Sequence, residues 1–352
     1  MVRRTLERVE VEDWIDRLAR HDGEARLHRT RDRARELAPV LGLERQMDIL
    51  DGLIGAALRT HNATLVSPSL RARAVGQAYD PERVAGFEAF ADVLEARAPA
   101  IVPGLPGDEP RRRFLPFYEA YFSNFIEGTE FTPDEAASIV FDDVVPANRP
   151  ADAHDITGTY RIVADPAEMS RAPRDPDEFL DLLRGRHAVL MAGRPDKGPG
   201  QFKQRDNRAG GTDFVAHELV EGTLRAGVDV GAPVGGAFAR AAYTMFLVSE
   251  VHPFADGNGR IARVMMNAAL VSAGEGRIIV PTVYRDNDVL ALRGATHNRH
   301  FDGLLAVLEF AQRYTARVDF TDRHTAEADL PRTNAFRDPV EADNAGIRLV
   351  LP

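Results

Sequence analysis

Apolar side chains recur at three- and four-residue steps through much of this chain. Segments near 10–20, 27–39, 44–59, 81–97 and 112–126 carry the i, i+3, i+4 spacing that gives a helix one oily face. From Phe238 to Val251 the same rhythm groups Phe238, Ala241, Ala242, Met245, Phe246 and Val248, and Ile261 to Leu270 is again apolar and rich in helix formers. Alternating, strand-like patterns are sparse, so the pattern predicts an all-α fold. Proline- and glycine-rich breaks fall at 102–110 (VPGLPGDEP), 171–177 (RAPRDPD) and 193–200 (GRPDKGPG). They give an expected organisation of an N-terminal helical region over 1–110, a core over 111–320, and a polar, proline-punctuated C-terminal arm or tail over 321–352. There is no internal repeat.

Between the two apolar segments lies the run His252-Pro253-Phe254-Ala255-Asp256-Gly257-Asn258-Gly259-Arg260-Ile261-Ala262-Arg263. It is expected as the loop joining two buried helices. Gly257 and Gly259 can take positive φ and let a ligand approach the backbone. Successive amide N–H groups leading into a helix N-terminus form an anion site. Arg260 and Arg263, three residues apart, leave the first turn on one side, and a guanidinium fork matches phosphate oxygens. Asp256 is a suitable ligand for Mg²⁺, which takes one or two carboxylates together with phosphate oxygens. His252 titrates near neutrality and can accept a proton from a hydroxyl. Together these residues suit a magnesium-bound polyphosphate. The Gly-Lys-Ser/Thr ending of a P-loop is missing.

The run matches His-x-Phe-x-Asp/Glu-Gly-Asn-Gly-Arg-x-x-Arg at every defined position, and in this the chain resembles the Fic (Fido) domain family. The resemblance implies a compact helical core with a small β-hairpin flap, and transfer of AMP from Mg-ATP to a Ser, Thr or Tyr hydroxyl of a target protein, including the chain itself. It implies that His252 is the base, that Phe254 anchors the loop, and that Asp256 holds Mg²⁺. Gly257, Asn258 and Gly259 would surround the α- and β-phosphates, Arg260 would contact the β-phosphate and Arg263 the γ-phosphate. Upstream, Ser123-Asn124-Phe125-Ile126-Glu127-Gly128 resembles the inhibitory Ser/Thr-x-x-x-Glu-Gly/Asn pattern of relatives that carry it N-terminal to the core (the class II type). By that likeness Glu127 pairs with Arg263 and takes the donors that the γ-phosphate needs. Read without the resemblance, the same hexapeptide is a helix ending at Gly128.

The stretch 202–218 (FKQRDNRAGGTDFVAHE), with Asn207 and Gly210-Gly211 as turn signals, is either a glycine-rich loop or the family's flap, which aligns a target backbone by strand addition. One stretch departs from the relatives. Where they carry aromatics and then an Asn closing over the adenine, this chain has Asp288, Val289 and Thr296. ATP as the donor is therefore an implication of the family alone.

Composition narrows the reading further. The formal net charge of −10 disfavours a nucleic-acid groove or an anionic membrane surface. No cysteine is present, which removes disulfides and thiolate metal sites. The N-terminal MVRRTLERVEVEDW lacks the apolar core of a signal peptide, and no apolar run approaches a membrane span, so a cytoplasmic protein is expected. His297 and His300 have helix-compatible spacing but no third ligand nearby. Asp142-Asp143 reads as a solvated helix end, and Arg26 to Arg35 as an exposed amphipathic face. The leading expectation is a nucleotidyltransferase restrained by Glu127, with a homodimer as what the likeness to relatives suggests. Removal of AMP by the same site, another phosphate-linked donor, and a non-catalytic ATP sensor are the alternatives.

Overall fold

The computed structural model describes residues 6–97, 101–102 and 112–352. Among them are seventeen α-helices and one two-stranded antiparallel sheet. The break predicted at 102–110 and the proposed boundary at 110 lie almost wholly outside the described residues. By contacts the chain separates into two compact units, 1–81 with 218–223 and 82–217 with 224–352.

The first unit holds α1 (Arg8–Asp22), α2 (Glu24–Leu41), α3 (Glu44–Ala57) and α4 (Pro68–Ala74). Ile15, Leu27, Leu53, Ile54 and Leu70 form its core. Arg26, Arg29, Arg33 and Arg35 of the 26–35 segment are exposed, Arg31 is half-buried and Leu27 is buried, as an amphipathic helix requires. Glu12 is buried but satisfied, its Oε2 accepting from the Val66 and Ser67 N–H groups at 2.6 and 2.7 Å.

The second unit begins with α5 (Pro81–Glu95), then α6 (Leu115–Ile126), α7 (Pro133–Phe141), α8 (Pro150–Val163), α9 (Pro166–Met169) and α10 (Pro176–Leu190). Proline opens each of these six elements in its first turn, where its missing N–H costs no helical bond. Asp142 and Asp143 follow the end of α7 and are exposed. Next come β1 (Arg208–Ala209) and β2 (Thr212–Asp213), paired Arg208 to Asp213 and Ala209 to Thr212 across Gly210-Gly211. Gly210, at φ 57°, takes the left-handed turn conformation. The 202–218 segment is thus a hairpin of minimal length. The remaining helices are α11 (Val220–Gly231), α12 (Ala237–Val251), α13 (Asn258–Ser272), α14 (Arg285–Asn298), α15 (Phe301–Thr315), α16 (Arg323–Arg332) and α17 (Pro339–Asn344).

Helices α12 and α13 pack on each other along their length at the centre of this unit. Both are buried nearly all round, from Phe238 through Leu247 to Met266 and Leu270. Helices α6, α8, α9 and α10 pack around α13. Residues 321–352 carry two helices where only an arm or tail was expected, and Leu330, Ala335 and Leu349 are buried. No helix among the described residues is long and apolar enough to cross a membrane.

Candidate active site

The His252–Arg263 run is the α12–α13 junction. Proline at 253 cannot continue a helix and disfavours helical geometry in the residue before it. Helix α12 therefore stops at Val251, and His252 caps it in the left-handed region, at φ 51° and ψ 59°. Phe254 is fully buried and its ring stacks on His187 of α10, with centroids 3.5 Å apart. The loop closes on itself through Asn258, whose Oδ1 accepts from Phe254 N–H at 2.8 Å and whose Nδ2 donates to Phe254 O at 2.9 Å. Asn258 thus turns its amide inward as a brace, leaving only its backbone N–H to face an anion. Gly257, at φ 76°, starts α13, and a Cβ there would meet Met191 Sδ at 2.8 Å. The first helical bond is Ile261 N–H to Gly257 O at 3.0 Å, so the earlier N–H groups of α13 have no intrahelical partner.

The two arginines are held by different helices. Arg260 Nη1 lies 2.7 Å from Asp155 Oδ2 on α8, and Asp155 is also bonded by Arg194. Arg263 donates from Nε to Ser123 Oγ at 3.0 Å and from Nη2 to Ser123 O at 2.8 Å. Its Nη2 also lies 2.6 Å from Glu127 Oε1. Glu127 is the residue that caps α6, and Gly128 follows at φ 90°, so the helix end delivers this carboxylate to Arg263. Asn124, buried in the same motif, donates to Ala120 O and Thr159 Oγ1.

Asp256 is 39% exposed at its side chain. Its Oδ1 accepts from Gly257 N–H at 2.6 Å. The other oxygen makes no hydrogen bond among the described residues, which suits one hard cation shared with phosphate oxygens. No cluster of three or more His, Asp or Glu side chains offers a protein-only metal cage among the described residues.

His252 is half-buried and its ring stacks on Phe214, the residue after β2, at a centroid distance of 3.7 Å. Burial, reinforced by the Lys203 ammonium, pushes the imidazole down to about 4, against the opposing pull of the Ser249 carbonyl, Glu127 and Asp256. The ring is therefore neutral at pH 7 and able to accept a proton. Thr212 of the hairpin is tied to α14 by a 2.9 Å contact with His297 Nε2, which gives that histidine a partner without a metal.

The departure at 288–296 has a definite structure. Asp288 is buried, its Oδ1 has no hydrogen-bond partner among the described residues, and burial pushes its carboxyl up to about 6, with Arg263 opposing and Glu127 adding to the effect. Thr296 is turned toward Glu250, 2.5 Å from its Oε1. Sequence reasoning missed His187 and Asp155, and it met Asn207 and Lys203 only as parts of the 202–218 stretch, with no link to the His252 loop. None stands in a local motif, and each is brought to the loop by packing from more than 35 positions away.

A neutral imidazole, a helix N-terminus and two arginines thus meet at the α12–α13 junction of this helical unit. Residues 178–270 match the model of the Fic/DOC family, and this segment of the chain is a Fic domain. A protein adenylyltransferase Fic of Drosophila persimilis is 44% identical over 45 residues, 13% of this chain and 9% of that protein. A Fido domain-containing protein of Dictyostelium discoideum is 32% identical over 80 residues, 21% of this chain and 56% of that one. The chain thus spans well under two thirds of either relative. Among solved structures, Fic-1 of C. elegans is similar in fold, with a TM-score of 0.50 at 17% identity over 88% of this chain and 86% of that one.

Proposed function

We propose that the protein is an adenylyltransferase that moves AMP from Mg-ATP to a hydroxyl side chain of a target protein, and that Glu127 restrains it. One observation carries this reading: His252, kept neutral by burial, and Arg263, paired with Glu127, stand on the same α12–α13 junction beside the N-terminus of α13. The first-turn N–H groups of α13 would receive phosphate oxygens, and Arg260 and Arg263 would bind the outer phosphates. Asp256 would hold Mg²⁺, which supplies charge neutralisation on the polyphosphate. His252 takes the proton as the hydroxyl oxygen bonds to the α-phosphorus and the bond to the leaving pyrophosphate breaks. The positions are fixed beforehand by the Phe254 stack and the Asn258 brace, so little reorganisation accompanies the charge shift.

While Glu127 stays on Arg263, the γ-phosphate lacks its donor and ATP sits out of line. A second reading uses the same groups in reverse. Glu127 is 34% exposed at its side chain and its Oε2 has no partner among the described residues, so it can orient a water for removal of AMP.

Both readings are tested by incubating wild type, Glu127→Gly, and Glu127→Gly with His252→Ala in Mg²⁺ and ATP labelled at the α-phosphorus, following label on the protein and on added lysate proteins. Labelling by Glu127→Gly alone supports restrained transfer. Loss of AMP removal in Glu127→Gly, with no gain in labelling, supports the reverse reaction. ATP binding with no labelling by any form overturns the transfer reading.

A further inference from the structure

Lys203 is one of two lysines in the chain, and it is 3% exposed. A buried ammonium is costly unless its protons are taken up. Here it makes no ion pair among the described residues. Its Nζ donates to Asn207 Oδ1 at 2.6 Å and to Val251 O at 3.5 Å. The backbone N–H of the same residue donates to Pro253 O at 2.8 Å. Asn207, four residues on, donates from Nδ2 to His252 O at 3.5 Å and to Phe254 O at 3.0 Å. The two residues thus donate to the carbonyls of 251, 252, 253 and 254, every one across the turn that carries His252.

That turn needs outside support. His252 holds a left-handed conformation immediately before a proline, a sparsely populated state for a residue with a side chain. Such a conformation persists only where its surroundings over-determine it. Asn258 ties only Phe254 from within the loop, and α12 reaches His252 only through its N–H, which bonds Val248 O at 3.0 Å, and its ring, which meets the Ser249 carbonyl; none of the carbonyls from 251 to 253 is held by either.

We propose that Lys203 and Asn207 form a clamp on the His252 turn, making Lys203 a positioning residue for the base. This rests on the reading of His252 as the proton acceptor. The clamp stands at the entrance to the hairpin, so it fixes the loop and the strands beside it from one place. It also places a positive charge near the imidazole, and burial pushes Lys203 itself down to about 8, with Asp206 opposing and Arg83 adding. The charged groups around the pair are otherwise engaged: Asp206 with His217, Arg83 with Glu250, and Glu127 with Arg263.

The test uses full-length Lys203→Met, Lys203→Arg and Asn207→Ala, each checked for a cooperative melt. The first readout is the His252 ring titration by NMR without nucleotide, assigned by its loss in His252→Ala. The second is transfer in the Glu127→Gly background, with kcat separated from the KM for ATP. In Lys203→Met the titration should rise by about 1 pH unit, because a positive neighbour is gone, and kcat should fall about 10-fold with KM nearly constant. Lys203→Arg should restore most of the titration shift. Asn207→Ala should lower kcat and release the His252 ring from its Phe214 stack, seen as a downfield move of the ring protons. A folded Lys203→Met with unmoved titration and kcat overturns the proposal. If Lys203→Met does not fold, an unchanged ring shift and kcat in Asn207→Ala overturns it instead. If no variant transfers AMP, the base reading fails while the ring titration still decides the clamp.

Discussion

The carboxylate of Glu127 occupies the space that a side chain on Gly259 would need. A Cβ built there would collide with Glu127 Oε1, the atom that lies 2.6 Å from Arg263 Nη2. The glycine in the first turn of α13 and the glutamate at the end of α6 therefore share one small volume. A hydrogen bond between charged groups contributes about 1.5–3 kcal/mol. Glu127→Gly should accordingly tighten ATP binding about 10- to 100-fold in calorimetric titration. Gly259→Ala should displace the same carboxylate without that gain, since the methyl group stays where phosphate must approach. Equal ATP affinity in wild type and Glu127→Gly would remove the restraint from the account.

Asp155 is the most exposed weakness of the site although it is itself buried. It is 1% exposed, and it balances both Arg260, at 2.7 Å, and Arg194. Deleting one partner of a buried pair leaves the other charge without solvent, which costs about 3–5 kcal/mol. Asp155→Ala should lose stability on that scale in urea unfolding, and Asp155→Asn less, because it keeps an acceptor. A loss below about 1 kcal/mol for Asp155→Ala would mean that water reaches Arg260 freely.

The helices were legible where their apolar spacing was regular. The predicted 238–251 and 261–270 became Ala237–Val251 and Asn258–Ser272, and the first three N-terminal segments differ from their helices by at most three residues at either end. The place of the 252–263 run between two buried helices was legible because its residues are contiguous in sequence. What could not be read was the support beneath it. Asp155 and His187 sit on separate helices, and nothing in their own neighbourhoods separates them from surface residues. Asn258 illustrates the limit: the motif names it, but only the fold shows its amide turned onto Phe254. The helices at 323–332 and 339–344 were missed because short, polar, proline-punctuated segments take their order from docking and not from propensity.

Gly158 sets how closely α8 approaches α10. A Cβ there would lie 2.6 Å from Leu190 O and 2.9 Å from Val189 O, both backbone atoms that cannot swing aside. Gly158→Ala should therefore lower stability by roughly 1–3 kcal/mol, despite the better helix propensity of alanine. Because α8 carries Asp155 and α10 carries His187, ATP affinity should fall with it. An Ala variant melting at or above the wild-type temperature would show that the two helices part without cost.

His187 should make the protein acid-sensitive well above the range of its carboxylates. It is fully buried, Gly200 N–H donates to its Nδ1 at 3.0 Å, and its Nε2 therefore carries the proton given to Asp256 O. Burial pushes it down to about 4, with Arg260 adding to the effect and the Asp256 carbonyl opposing it. His252 is likewise pushed down to about 4. In the unfolded chain both return toward the ordinary value of about 6.5. Below that value the unfolded state binds protons that the folded state refuses, so stability is full above about pH 6.5 and declines as pH falls toward 4. Each histidine contributes a slope of up to about 1.4 kcal/mol per pH unit in that window. His187→Asn keeps one acceptor and one donor but does not titrate. Urea unfolding between about pH 4.5 and 6.5 should show a slope in the variant that is smaller by one histidine's share. Identical slopes would mean that His187 charges freely in the folded protein, and its contact with the Asp256 carbonyl would then not be holding the loop in one protonation state.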